Sequence, residues 1–393
     1  MKKLKDKTLL NHDSYKDKHG AVVPPLYQNS LFTFESWEAI DEAFNHKTES
    51  YIYSRLMNPT VKVAEEKIAT LSRGEKAKLC ASGMAAITSA ILHCVRAGDH
   101  IITINKLYGP ASTFMLKYLK AKFDITTTQV DGRDVEAFRK AIKSNTTLIY
   151  LESPASLTLE LQDLKALADL AKAHNIKTII DNTWASPIFQ KPLTFGVDIE
   201  VHSASKYLGG HSDVVAGVII SDRVTLDAII SAEHELLGAK MAPFEGWLIL
   251  RSLRTLPIRM QAIQQHSIRV AEHLEQHPLV VGVNYPGLKS YPQYALAQQQ
   301  MTGCGGLLSF ELKTKDLGKI KLFVDNLKLF KIGVSWGGHD SLVYAPIISY
   351  LKELSAEDIA ARGLNTSLVR LSVGLEDPED LIFDLDQALL LTN

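Results

Sequence analysis

The sequence predicts a two-domain α/β protein, with a larger domain on a mostly parallel sheet sandwiched by helices and a smaller α+β domain after it. Three observations carry this reading. A chain of 393 residues exceeds what one small hydrophobic core organises. From Leu79 to Ser203, apolar β-rich runs alternate with helical patterns. Beyond Pro243 that texture gives way to long helical periodicity and then to widely spaced strands.

Residues 1–58 contain PPLYQNSLF and SYIYSRLMNPT, rich in turn formers and aromatics but without a period, which predicts an extended arm lying on a neighbouring subunit. Residues 59–245 carry the larger domain. Its elements are HIITI (100–104), a helix near 111–121, FDITTTQV (123–130), a helix near 134–143, TLIYLE (147–152), a helix near 163–174, KTIID (177–181) and VDIEVHS (197–203). Most of these strand runs are continuously apolar, as a sheet covered on both faces requires. Residues 246–393, opening with the pattern WLILRSLRTLPIRMQAIQQHSIRVAEHLEQ, form the smaller domain.

Hydrophobic residues at 46% and charged residues at 22% exclude a disordered or fibrous chain. Lys and Arg (43) balance Asp and Glu (44), so no overall field attracts nucleic acid or an anionic membrane, and any anion has to be held by a local device. Cys80, Cys94 and Cys304 form neither a CxxC pair nor a metal-ligand spacing, which predicts reduced, largely buried thiols and no metal site. The basic start lacks an apolar signal core, and the most apolar stretch, 85–95, is broken by Thr88, Ser89 and His93. The expected location is cytoplasmic.

The chemistry concentrates in a few segments. In SASKYLGGHSD, Lys206 follows an apolar strand and is flanked by Ser203 and Ser205. Most lysines are solvated surface charges, but hydroxyls at a strand end suit a phosphate, and a desolvated lysine there forms Schiff bases. Asp181 ends KTIID, where it either caps the next turn or keeps a pyridine nitrogen protonated. Ser82, Gly83 and Met84 open a helix, a plain cap or an anion site. Tyr108 in KLYGPAS is either a rim tyrosine or an aromatic lid over a flat ring. Tyr53 and Arg55 pair a phenol with a guanidinium suited to phosphate. Arg370 interrupts an apolar strand pattern and needs a carboxylate, from the protein or from a substrate. Neither GxGxxG after a strand nor GxxxxGK[ST] is present, which weighs against a non-catalytic nucleotide binder with Lys206 as a phosphate ligand.

Taken in order, YSRLMNPT, SGMAA, LYG, ESPASLTLE, DNTWASP, SASKYLGGHSD and VRLSVGLED resemble the Cys/Met-metabolism family of fold-type I pyridoxal-phosphate (PLP) enzymes over essentially the whole chain. The resemblance implies Lys206 as the cofactor lysine and base, Asp181 on the ring nitrogen, and Tyr108 stacked on the ring as a proton donor. It further implies Gly83, Met84, Ser203 and Ser205 on the phosphate, joined by Tyr53 and Arg55 from the neighbouring subunit, and Arg370 on the substrate α-carboxylate. A homotetramer built as a dimer of dimers is implied as well. Ser156 in ESPASLTLE, and Ser335 and Trp336 in VSWGGHDSL, look like the bacterial cystathionine β-lyase branch. The first expectation is therefore β-elimination of L-cystathionine to homocysteine, pyruvate and ammonia, a step of methionine biosynthesis. YSRLMNPT has the form common in γ-lyases and γ-synthases, and Val334 stands where the β-lyase branch often has an aromatic residue, so cystathionine or methionine γ-chemistry is the alternative, with racemisation as a side activity.

Overall fold

The computed structural model describes residues 4–12, 15, 18–353, 357 and 365–392. They divide into two compact units, the first running to Pro154 and resuming over Glu160–Pro257, the second made of Ala155–Leu159 and the residues from Ile258 onward.

The first unit is built on seven strands: β1 (Lys76–Cys80), β2 (His100–Ile104), β3 (Thr126–Val130), β4 (Thr146–Glu152), β5 (Lys177–Asp181), β6 (Ile199–His202) and β7 (Gly217–Ser221). Their order is β1-β7-β6-β5-β4-β2-β3. Neighbours from β6 to β3 are parallel, whereas β7 is antiparallel to both β6 and β1. Two reversals restore the direction, so every strand of this sheet except β7 ends at the same edge. β2 and β7 are buried along their whole length, while the Thr- and Gln-rich β3 at the sheet margin is half-exposed.

Four helices precede or follow β1: α1 (Asp6–Asn11), α2 (Trp37–Asn45), α3 (Pro59–Ser72) and α4 (Gly83–Cys94). Asn58 caps α3 by accepting the Thr60 N–H at 3.0 Å, with Pro59 in the first helical position, where its missing N–H costs nothing. α3 packs on β1 and β7, and α4 on β1 and on β4 to β7. A Cβ on Gly217 would come within 2.1 Å of the Ser82 carbonyl oxygen, so only glycine lets the start of α4 sit against β7.

The structure departs from the sequence expectations in four places. The segment 1–58 carries two helices, and Leu10 of α1 is fully buried while Lys67 donates to the carbonyls of Leu9, Leu10 and His12. The helix expected near 111–121 runs from Gly109 to Phe123 with a π-helical turn at Phe114–Tyr118, and β3 starts only at Thr126 because Asp124 ends that helix with φ 55°. β1 and β7 were not expected as strands. The helix Pro243–Leu253 belongs to the first unit, past the boundary expected at 245, because Gly246 lies against Val61 of α3.

In the second unit, β8 (Val280–Asn284), β9 (Leu307–Leu312), β10 (Lys331–Ile332), β11 (Leu342–Tyr344) and β12 (Leu368–Ser372) form a sheet ordered β10-β11-β12-β9-β8. Phe310 of β9 meets Phe323 edge-on at 5.9 Å within its core. Cys80, Cys94 and Cys304 are unpaired thiols, each pushed up to about 12 by burial. Among the described residues, no helix is long and apolar enough to cross a membrane, and no group of three or more His, Cys, Asp or Glu side chains is placed to hold a metal ion.

Candidate active site

The common edge of the first sheet gathers residues far apart in sequence. β5 ends at Asp181, and its register partner Glu152 ends β4. β6 ends at His202 and enters a turn in which the Lys206 N–H donates to the Ser203 carbonyl at 3.1 Å and the Gly210 N–H to the Lys206 carbonyl at 2.6 Å. β1 leads into Ser82 and α4, and β2 into Tyr108. Strand ends of this kind are where open α/β sheets bind ligands.

Asp181 is buried, and its Oδ1 accepts both the N–H of Thr183, at 3.0 Å, and the Thr183 hydroxyl. Oδ2 accepts no hydrogen bond among the described residues. Burial pushes the carboxyl up, opposed by Thr183, His202 and Lys206. Thr183 Oγ1 also accepts the Ser203 N–H at 2.8 Å, so one hydroxyl ties Asp181 to the start of the Lys206 turn. Sequence reasoning missed Thr183; a Thr two residues after a strand-end Asp, the spacing of an Asx turn, was the available signal.

At the start of α4, Ser82 Oγ accepts the Ala85 N–H at 3.0 Å and the Ser82 carbonyl accepts the Ala86 N–H at 3.2 Å. The N–H groups of Gly83 and Met84 are left without an intrahelical partner. Ser203 stands beside them, since a Cβ on Gly83 would lie 2.9 Å from both Cβ and Oγ of Ser203. Ser205 is used within the fold: its hydroxyl donates to the Ala216 carbonyl at 3.2 Å and accepts the Ala216 N–H at 2.9 Å. Tyr108 is half-exposed, and burial, with Asp181 and Glu152, raises its phenol above the ordinary value. Tyr53 and Arg55 meet each other, the guanidinium 5.5 Å from the ring centroid, and Arg55 lies 3.6 Å from Glu235.

In the second unit, Arg370 projects from β12, donating to the carbonyls of Val334 at 2.7 Å and Ser335 at 3.4 Å and standing 4.9 Å from the Tyr344 ring centroid. It forms no ion pair with a carboxylate among the described residues, and burial lowers its guanidinium to about 10. Ser335 is exposed and Trp336 half-buried in the loop between β10 and β11. That loop is pinned by the Gly337 N–H on Ser372 Oγ at 3.2 Å and by Ser341 on Glu376. Ser156 lies in Ala155–Leu159, whose Leu157 and Leu159 carbonyls accept from Ser309 and Tyr291.

The family model of Cys/Met-metabolism PLP-dependent enzymes matches residues 6–390. The chain belongs to this family. An L-methionine γ-lyase of Treponema denticola is 43% identical over 379 residues, 96% of this chain and 94% of that protein. A cystathionine γ-lyase of Lactobacillus plantarum, solved with L-serine, is 36% identical, with a TM-score of 0.89 over 99% of both chains. A Campylobacter jejuni protein named as an O-acetylhomoserine (thiol)-lyase, solved with N'-pyridoxyl-lysine-5'-monophosphate at its position 205, is 32% identical, with a TM-score of 0.92 over 98% of this chain and 100% of that one. The enzyme is thus a PLP-dependent member of the fold-type I class. The relatives carry γ-lyase and thiol-lyase names, where the sequence expectation was the β-lyase branch.

The donor set at the sheet edge fits the cofactor of this family. Two unpaired N–H groups at a helix start beside a hydroxyl suit a phosphate dianion, a buried carboxylate with one free oxygen suits a ring N–H, and Lys206 supplies an amine within electrostatic reach of Asp181.

Proposed function

We propose that this enzyme is a C–S lyase that eliminates at Cγ, converting L-methionine or L-cystathionine to 2-oxobutyrate, ammonia and a thiol. The observation that carries the reading is the near-full-length similarity to an L-methionine γ-lyase at 43% identity. The segment YSRLMNPT, of the form common in γ-lyases and γ-synthases, agrees with it, as does Val334, which stands where the β-lyase branch often has an aromatic residue.

Bound pyridoxal phosphate supplies an electron sink for the pair left at Cα. Gly83 and Met84 N–H groups, with Ser203, hold its phosphate, while Ser205, whose hydroxyl proton goes to the Ala216 carbonyl, braces the turn behind them, and Tyr53 and Arg55 of the neighbouring subunit complete that site in a dimer of dimers. Asp181, steadied by Thr183, keeps the ring nitrogen protonated. Lys206 would anchor the cofactor; its freed amine takes the proton from Cα, gives it up again on the cofactor side of the substrate and, neutral once more, takes the second proton, from Cβ, that γ-elimination needs. Tyr108, whose raised phenol stays protonated at neutral pH, gives a proton to the departing sulfur. Arg370, lacking a protein carboxylate, receives the substrate's α-carboxylate.

A second reading, β-elimination of cystathionine, is favoured by Trp336, a bulky indole held in the loop between β10 and β11, and by Ser156, both of which resemble the β-lyase branch. Racemisation at Cα would share the first proton transfer. The test is keto-acid identity. Holoenzyme is incubated with L-methionine and with L-cystathionine: 2-oxobutyrate from either supports γ-elimination, whereas pyruvate from cystathionine with no turnover of methionine overturns it in favour of the second reading. Trp336→Leu should then raise the share of 2-oxobutyrate from cystathionine without lowering the melting temperature.

A further inference from the structure

Glu152 closes β4 beside Asp181 and has no part in the roles above. It is buried, with 8% exposure, a costly place for a carboxylate that makes no use of its charge. Its Oε2 accepts the backbone N–H of Tyr108 at 2.8 Å, a bond that joins the end of β4 to the loop after β2. The Tyr108 carbonyl accepts the Ser112 N–H at 3.0 Å, so the Glu152 bond is what ties Tyr108 to the sheet rather than to its own helix. Tyr108 is the N-cap of the short helix α5 (Gly109–Thr113) but makes no side-chain capping bond, and 44% of it is exposed. Tyr150, two residues earlier on the same face of β4, is wholly buried and feels the charges of Asp181, Glu152 and Tyr108, so these four groups form one cluster.

We propose that Glu152 is the positioning residue of Tyr108: its carboxylate fixes the Tyr108 backbone to the sheet edge that carries Asp181, so that the phenol stands over the cofactor ring and beside the leaving sulfur. The inference rests on the lyase reading. A carboxylate acceptor makes a stronger bond to an N–H than a neutral one, and it holds the backbone while leaving the ring free to tilt. A displacement of about 1 Å in such a group costs up to about 100-fold in rate.

Wild type, Glu152→Ala and Glu152→Gln are compared as holoenzymes by the visible circular dichroism of the bound cofactor, by kcat and KM separately, and by thermal melting. Glu152→Ala should keep the cofactor absorbance, because Lys206 and Asp181 remain, yet lose most of the dichroism and about 10- to 100-fold in kcat with KM little changed. Glu152→Gln should recover most of both, since its amide oxygen accepts the same N–H. An alanine variant with normal dichroism and kcat overturns the proposal, and so does a glutamine variant that melts normally but is as impaired as alanine. If alanine fails to fold, the glutamine variant decides alone: dichroism and kcat near wild type support the proposal, and loss of most of the dichroism with an about 10- to 100-fold lower kcat at a normal melting temperature overturns it. Wild type that binds the cofactor but eliminates no thiol would refute the lyase reading instead, while the dichroism comparison would still judge Glu152.

Discussion

Asp181 and Lys206 stand at one sheet edge, a buried carboxylate with a free oxygen and a lysine in the turn after the next strand, and the proposed mechanism divides its work between them. On the proposed mechanism Lys206→Ala removes the anchor and the base together, so it should bind pyridoxal phosphate only non-covalently and lose nearly all turnover, as absorbance after gel filtration and a keto-acid assay will read. Arg370→Lys keeps the charge but loses the planar fork, so KM for the amino-acid substrate should rise about 10- to 100-fold with a smaller change in kcat. The placement of Lys206, Asp181 and Tyr108 beyond strand ends was legible in the sequence because each sits in a short motif at the end of an apolar run. Thr183 and Glu152 were not, because their part lies in hydrogen bonds to residues 20 and 44 positions away. Ser205 was legible as a hydroxyl, but its commitment to Ala216 was not.

The parallel strands were read almost as they stand, HIITI and KTIID to the residue, since strands buried on both faces leave no polar interruption. β1 escaped because Lys76 and Lys78 alternate along it; Lys78 is buried and lies 3.2 Å from Glu65. β7 escaped because it runs against the parallel pattern. Two buried histidines give these elements an acid sensitivity. His234, which contacts the Leu79 carbonyl of β1 at 3.3 Å, is lowered to about 3 by burial first and Lys78 second, and His100 of β2 to about 4 by burial and Lys143. Folding therefore favours their neutral forms, while the unfolded chain takes up protons below about 6.5. Their stabilisation is complete above that pH and is lost as pH falls, for His100 down to about 4 and for His234 down to about 3. Melting temperature against pH should show the slope, and His234→Asn should reduce it; an unchanged slope would contradict this account.

For the molecule as a whole, the N-terminal segment leaves Val22, Leu31, Trp37 and Tyr53 exposed, an apolar surface suited to cover by a neighbouring subunit. The smallest active species should be a dimer by light scattering. Inactive Arg55→Ala and Lys206→Ala chains refolded together in equal amounts should regain about a quarter of the wild-type activity, because half the dimers are hybrids with one intact site. No recovery would place Arg55 outside the shared site. The two-unit organisation was legible from texture; the choice between Cβ and Cγ elimination was not, because Ser156 and Trp336 resemble one branch of the family and YSRLMNPT the other. The central claim, a PLP-dependent enzyme working through Lys206, is tested most directly by reducing the holoenzyme with borohydride, digesting it and locating the pyridoxyl mass by peptide sequencing. The label should sit on Lys206 in SASKYLGGHSD; label on another lysine, or on none, would contradict the account.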